Sequence, residues 1–530
     1  MYRHNQKQLT FHEFALPFGG ALNPKNRWVI KASLIPWDFV EEVYFQSLKE
    51  TNEGRGAKSA RTALAAMIIQ QDQKLTDEEV VLHIEENPYM QFFCGFEEFQ
   101  QKKPFDPSLM VHFRKRFPAD IINQVNEEML KRQKQSESES DDDNNDSSNH
   151  DEASPSGKLI IDATCAPADI HYPTDVHLLN HARLIAEGLV DKLYEELKYV
   201  YTQKDLFTQA SDFPYKSKPR TYRIKARKNY LSFAKKKRPG KKRIRQTLRK
   251  QLSYLKRDIA HIHDLLDYVE LSCLFEKELK NLWVIQHVYA QQQYMYENKV
   301  HKVADRIVSI DQPHIRPIVR GKSGSDVEFG AKLSISVTED GYVYCDKISW
   351  DSHNESTDFK EVVENYRQRF GHYPKAVYAD QIYRTRENRR FCKKLGIRIS
   401  GPRLGAKPKN EELSKKQRAQ EKKDVGIRNW VESKFGQCKR RFGLNRIMGK
   451  LPQTSESMIS LCLLVANLAK ICCVLNFEPS NSGNTRKTKV ENAVQWLKSS
   501  IHTLICDPIR NISYRVSIPI FSRYSKEVFQ

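Results

Sequence analysis

The sequence predicts an α/β protein: a mixed β-sheet, split by a large helical insertion after its first strand and preceded by an all-helical N-terminal domain. Three observations predict this. Short apolar, strand-like runs occupy 158–163, 329–337, 341–350, 375–380 and 397–400. Between the first and second of them, apolar residues recur at steps of three and four over 176–208 and 248–273, the spacing of helices. The first hundred or so residues carry the helical spacing alone. A strand, an insertion, a hairpin and then alternating helix and strand give a mixed sheet covered by helices.

Composition bounds what such a protein meets. The chain has 530 residues, 39% of them hydrophobic, and a formal net charge of +21 with a pI near 9.3. That is room for two to four domains, and the surplus of cations points to a polyanion, nucleic acid first. A membrane is the rival partner, and it is not expected because no apolar run of about 18 residues or more is apparent. The N-terminus lacks a secretory apolar segment, and the ten cysteines form no C-x-x-C pair. Structural zinc and a disulfide framework are therefore not expected, and the expected compartment is the cytoplasm, at the nucleoid.

The elements follow in order. Residues 1–33 read as an N-terminal arm. Residues 34–135 read as a helical domain, either DNA-binding or a packing domain whose basic residues are merely solvated, with helical patterns over 60–69 and 78–84, a break at Pro104–Pro107, and a last basic helix capped by Ser108. Residues 136–157 hold eight acids among Ser and Asn with almost nothing to bury, which predicts a disordered linker. Residues 158–175 begin the α/β core, with a short buried strand ending in Asp162. Residues 176–305 form a helical, basic insertion. Within it 220–257 hold seventeen Lys and Arg and no acid, including Lys235, Lys236, Lys237, Arg238, Lys241, Lys242 and Arg243. That density exceeds an ordinary solvated face, and interleaved Tyr222 and Tyr230 suit contact with a phosphate backbone. The heptad seam Leu248, Leu252, Leu255, Ile259, Ile262, Leu266 and Val269 is expected to zip against 176–208 within the chain. Residues 306–477 complete the core: a hairpin turning at Asp340-Gly341, a helix over 359–370, a strand ending in Asp380, a helix over 385–395, a short strand, a charged loop over 402–424, the helix bearing Glu432, and an apolar helix over 453–476. The tail is 478–530.

Three acids attract attention. Asp162 and Asp380 each follow an apolar strand run, where an ionised carboxylate is costly unless paired or metal-bound. Two carboxylates about 4 Å apart repel by roughly 4 kcal/mol at an effective dielectric of 20, and a divalent cation cancels that repulsion. Arg428, Glu432 and Lys439 are spaced by four and seven, which on a helix brings them within about 40° of one line. One carboxylate then stands between two cations able to hold phosphates. Two Mg²⁺ (or Mn²⁺) ions held by Asp162, Asp380 and Glu432 could activate a water or a 3′-hydroxyl for in-line phosphodiester displacement. Asp311, Asp326 and Asp351 compete for the same role; the first two read as loop residues and Asp351 is the most serious rival. Taken singly, a strand-end Asp is more often a turn former.

The motifs Ile160-Ile-Asp162-Ala-Thr, Val377-Tyr-Ala-Asp380 and Arg428-x3-Glu432-x6-Lys439 together resemble the D-D-E triad of bacterial insertion-sequence transposases. The resemblance is to the four/five-like group whose last motif reads Tyr-x2-Arg-x3-Glu-x6-Lys. Residues 170–180 and 382–392 resemble members of it as well. The resemblance spans about 34–475. It implies a ribonuclease-H-like core, metal-dependent strand cleavage and transfer at terminal inverted repeats and into target DNA, and a homo-oligomer holding two ends. Two departures stand out. The motif's Tyr falls at Val425, leaving Trp430 as the aromatic side chain to supply that contact. The two aspartates are separated by 217 residues, whereas this group more often carries its insertion before the Glu helix. Alternatives are a nuclease of the same fold that cuts without joining, and a catalytically inactive DNA-binding derivative, which Val425 favours.

Overall fold

A computed structural model describes residues 10, 12–16, 20–46, 56–139, 155–205, 213–215, 217–322, 325–351, 353–402 and 411–476. The tail from 478 and most of the acidic linker lie outside the described residues.

Seven helices come first: α1 (Arg27–Leu34), α2 (Trp37–Gln46), α3 (Ala60–Gln73), α4 (Asp77–Glu86), α5 (Pro88–Phe93), α6 (Leu109–Arg116) and α7 (Ala119–Glu139). The bundle starts earlier than residue 34, because Asn26 caps α1 and Trp28 is buried against Phe93. It also ends later, because α7 runs through the first residues assigned to the linker. α3 is its centre, buried continuously from Ala60 to Ile69. Ser108 precedes α6 without a capping bond; its N–H and hydroxyl donate instead to Asp106. The basic end of α6 is largely spent inside the protein. Arg114 pairs with Asp77 at 2.6 Å, and Arg116 donates to the Tyr44 hydroxyl.

The sheet follows. β1 (Lys158–Pro167) is succeeded by the insertion helices α8 (Asp175–Asp205), α9 (Arg223–Ala234), α10 (Lys241–Leu266) and α11 (Glu276–Asn298). Then come β2 (Arg316–Lys322), β3 (Ser325–Thr338), β4 (Val343–Ser349), α12 (Phe359–Phe370), β5 (Ala376–Tyr378), α13 (Arg386–Lys394), β6 (Arg398–Ile399), α14 (Glu411–Arg441) and α15 (Pro452–Asn476). The order is β4–β3–β1–β5–β6, with β2 also pairing β3. β1 is antiparallel to β3 and parallel to β5, and β5 is parallel to β6. The hairpin turns where expected, with Gly341 at φ 73°. Gly330 lets β1 and β3 approach, since a Cβ there would lie 2.1 Å from the Ala166 carbonyl oxygen.

The seam of α10 closes on α8 as expected: Leu252, Leu255 and Ile262 share one core with Leu179, Ala186, Leu193 and Leu197, while Leu265, outside the expected seam, is buried there and Leu266 only packs against it. α11 joins them, a helix that the sequence expectation does not include. β2 is likewise outside that expectation, and Pro317 inside it marks the edge position where a strand tolerates proline. The charged loop expected over 402–424 is a correction: from Glu411 onward it is the first half of α14. Its Glu, Lys, Gln and Arg lack apolar periodicity but are all good helix formers. The expectation that no apolar run reaches membrane length is corrected too. Pro452–Leu475 is long and apolar enough by composition, but most of it is buried inside the protein.

That burial explains α15. It packs on α7, α3, α6 and α1 on one side and on β4 on the other, so helical bundle and sheet share one core. The junction is pinned by buried Asn467. It accepts from the Val343 N–H at 3.0 Å and donates to the Val343 carbonyl at 2.8 Å and to Asn126 at 2.9 Å. Replacing Asn467 with Ala leaves the Val343 N–H and the Asn126 side-chain carbonyl unsatisfied in the interior. The Asn467→Ala variant is expected to lose about 2–4 kcal/mol, read as a lower urea midpoint with unchanged slope.

Candidate active site

Sheet register decides which acids meet. Ile160 pairs with Tyr378 across the parallel β1/β5 ladder. Two residues on, with side chains on the same face, stand Asp162 and Asp380. Ile160 and Tyr378 belong to the core shared with Val431 and Phe435 of α14, whereas Leu159, Ile161 and Val377 pack against α12 on the opposite face. Both aspartates therefore fall on the α14 side, where β5 has already ended and a gap opens beside β1.

Asp162 lies inside β1 and not at its end, opposite Ile335 of β3. β5 pairs only with the first residues of β1, Lys158–Ile160, and the Ala163 N–H turns to the Asp162 carboxylate at 2.8 Å. Burial pushes this carboxyl up to about 6. The Ala163 N–H draws it down, Glu355 and Asp380 push it up further, and Arg428 draws it back. Asp380 caps a short 3₁₀ turn over Gln381–Tyr383, accepting from the Gln381 N–H at 2.7 Å.

α14 is held at its middle and after its end. Arg398 of β6 grips Asp424 at 2.8 Å midway along it. After its end, the Ile447 N–H donates to the Pro167 carbonyl at 2.8 Å, and Arg446 pairs with Asp169 at 2.7 Å. Between these clamps Val431, Phe435 and Cys438 face the core, and Glu432 emerges beside them. Arg428 stands between two of the acids, 3.5 Å from Asp380 and 3.7 Å from Glu432. Lys439 follows on the same helix. Val425 and Trp430 are both exposed, and their five-residue spacing puts them about 140° apart. Trp430 therefore does not supply the missing aromatic on that face.

The structure thus brings Arg428 directly onto Asp380 and Glu432, and Asp162 into electrostatic reach of Asp380 and Arg428. As the side chains lie, no group of three or more acidic, His or Cys residues among those described is poised to hold an ion. The donor set still suits a hard dication: carboxylates on the α14 side of the sheet, with Asp162 raised by burial and, secondarily, by Glu355 and Asp380. Asp351, the rival, sits in the turn after β4 with its N–H held by Ser349. Asp311 is exposed, and the Asp326 side chain is outside what is described. The residue that sequence reasoning missed is Glu355. It is paired with Lys332 at 3.0 Å and is the first of the charges acting on Asp162. Buried Tyr383 sits between them: burial pushes its phenol up, and Glu355 and Asp162 add to this. Nothing in the sequence marks Glu355, because it follows a strand of ordinary pattern and precedes a helix.

The seven basic residues named in the insertion cluster at the α9–α10 turn. Lys235, Lys236, Lys237, Arg238, Lys241 and Lys242 are exposed. Arg243 is a correction in part, because it donates to the Ser232 carbonyl and hydroxyl and so staples the turn. Lys241 and Lys242 open α10, whose first turn holds no acid. Cations at a helix N-terminus oppose the helix dipole, so this cluster is unfavourable until an anion arrives.

Residues 377–469, which include Asp380, Arg428 and Glu432, match the family described as Transposase DDE domain. Residues 18–116 match Transposase domain (DUF772). The chain is also 32% identical over 182 residues to "Uncharacterized protein ORF8 in nfe locus" of Rhizobium meliloti, covering 34% of this chain and 81% of that protein. No solved structure matches the chain. The chain belongs to the insertion-sequence DDE transposases.

Within this transposase the raised carboxyl of Asp162 has a measurable sign. The folded state holds the proton more tightly than the unfolded state. The stability linked to it is complete below the ordinary aspartate range and is lost as pH rises through about 6. Asp162→Asn removes the titration. Without divalent ions the variant is expected to match the parent near pH 4 and to exceed it by on the order of 2–3 kcal/mol at pH 7, read by urea unfolding at both values.

Proposed function

We propose that the transposase cleaves and joins DNA at the ends of its element, with Asp162, Asp380 and Glu432 holding two Mg²⁺ or Mn²⁺ ions. The observation that carries this reading is the convergence of the three acids' elements on the gap where β5 ends. Bound there, the ions would supply Lewis acidity at the scissile phosphate. The chain's own residues do the rest. Asp162 and Asp380 fix the floor of the site from the sheet, Glu432 closes it from α14, and Arg428 and Lys439 face the terminal phosphates. The strand order β4–β3–β1–β5–β6, antiparallel on one side of β1 and parallel on the other, supports a ribonuclease-H-like core.

DNA binding rests on the basic α9–α10 turn, whose charges oppose their own helix dipole. The N-terminal helices are a weaker grip, since Arg114 and Arg116 are engaged internally. The reading includes a homo-oligomer that holds two terminal inverted repeats together with target DNA. The alternative, a nuclease that cuts without joining, shares every acid and is separated by supplying pre-cut ends.

Two expected outcomes test this. Asp162→Asn, Asp380→Asn and Glu432→Gln should each abolish nicking of an end-bearing duplex in Mg²⁺ while end binding in a gel-shift assay persists. Nicking retained in any one removes that residue from the role. Changing Lys235, Lys236 and Lys237 together to Ala should weaken binding similarly for specific and unrelated duplexes. It should also flatten the slope of log affinity against log salt by about 0.9 for each phosphate that is no longer neutralised.

A further inference from the structure

We infer that Arg428 is an exchangeable counter-ion: it occupies the cation position between Asp380 and Glu432 in the metal-free protein and is released to a DNA phosphate when a dication takes its place. The inference rests on the metal reading above and goes beyond it by coupling metal binding to end binding.

The geometry favours exchange over a permanent pair. The Arg428 side chain is 27% exposed, while the Asp380 and Glu432 side chains it serves are 55% and 57% exposed. Its nitrogens stand 3.5 and 3.7 Å from the carboxylate oxygens, well beyond the 2.7–2.9 Å of a tight charge-assisted pair. Arg398, the arginine that anchors the middle of α14, behaves differently. It grips Asp424 at 2.8 Å through one nitrogen and 2.9 Å through another. A long, part-exposed pair is cheap to break. The Asp380 oxygen nearest Arg428 is also held by the Gln381 N–H, so the carboxylate keeps its orientation when the arginine leaves.

Charge supplies the direction of coupling. Without metal, the acids outnumber Arg428 and the gap repels a phosphate. A dication reverses that balance, and Arg428, no longer engaged, becomes a donor for the phosphate oxygens. Linkage requires that what metal does for DNA affinity, DNA does equally for metal affinity. Arg428 thus serves twice, holding the two carboxylates before the ion arrives and the phosphate after it.

The test uses the full-length protein. Mn²⁺ binding without DNA is followed by loss of the free-ion EPR signal. Binding of an end-bearing duplex is followed by fluorescence anisotropy with and without Ca²⁺. Arg428→Gln is expected to bind Mn²⁺ about three- to tenfold more tightly than the parent, since two weak competing pairs are gone. Ca²⁺ should strengthen duplex binding by the parent and do so much less for Arg428→Gln. Arg428→Lys, a point charge without the fork, should fall between the two. If Arg428→Gln binds Mn²⁺ no better than the parent while Asp162→Asn and Glu432→Gln still weaken it, the counter-ion role is overturned and the metal reading stands. If no acid substitution changes Mn²⁺ affinity, the metal reading falls and the counter-ion role falls with it.

Discussion

A carboxylate in the middle of an apolar strand sets the terms for this molecule. Asp162 cannot be neutralised by its neighbours in β1, which are Ile161 and Ala163, nor by Ile335 across the ladder. Burial acts on it most and the Ala163 N–H next; the charges that act on it come from three other elements: Glu355 before α12, Asp380 after β5 and Arg428 on α14. Two of these charges repel it and one attracts it. The fold holds this imbalance in place because each contributing element is fixed independently. β5 is fixed by its ladder to β1, and α14 by the Arg398–Asp424 pair and the Ile447–Pro167 bond. A dication is the simplest species that relieves the imbalance.

Much of the site was legible because the acids sit in patterned sequence. An apolar strand run leading into Asp is readable residue by residue, and Arg428, Glu432 and Lys439 declare their shared face by helical spacing alone. Register was not readable. That Ile160 pairs with Tyr378, and so brings Asp162 beside position 380, depends on a pairing made across 217 intervening residues. Glu355 was invisible for a related reason: it stands in a short 3₁₀ turn, and its relation to Asp162 is purely tertiary. The strand and helix order of the core was legible from periodicity, apart from edge strand β2, where Pro317 disrupts the pattern. The first half of α14 was not, because a helix made of charged residues carries propensity but no apolar stripe.

The separation of the chain into a binding domain and a core, natural in sequence, dissolves in three dimensions. α15 is apolar over nearly its whole length because it is covered on both sides, by the N-terminal helices and by β4. The helical bundle is therefore part of the platform beneath the sheet, and its arginines serve that platform. The insertion has its own core along α8, α10 and α11 and leaves its exposed charge at the α9–α10 turn. The exposed cations of the insertion are thus gathered at one turn, off the core that α8, α10 and α11 share.

Whether Asp162, Asp380 and Glu432 share divalent ions decides the rest. Anomalous scattering from crystals of the full-length protein soaked in Mn²⁺ tests it most directly. The prediction is anomalous density in the gap at the end of β5, within coordinating distance of all three carboxylates, with Arg428 turned away from Asp380. Density on other side chains alone, or the three carboxylates too far apart to reach a common ion, would contradict it.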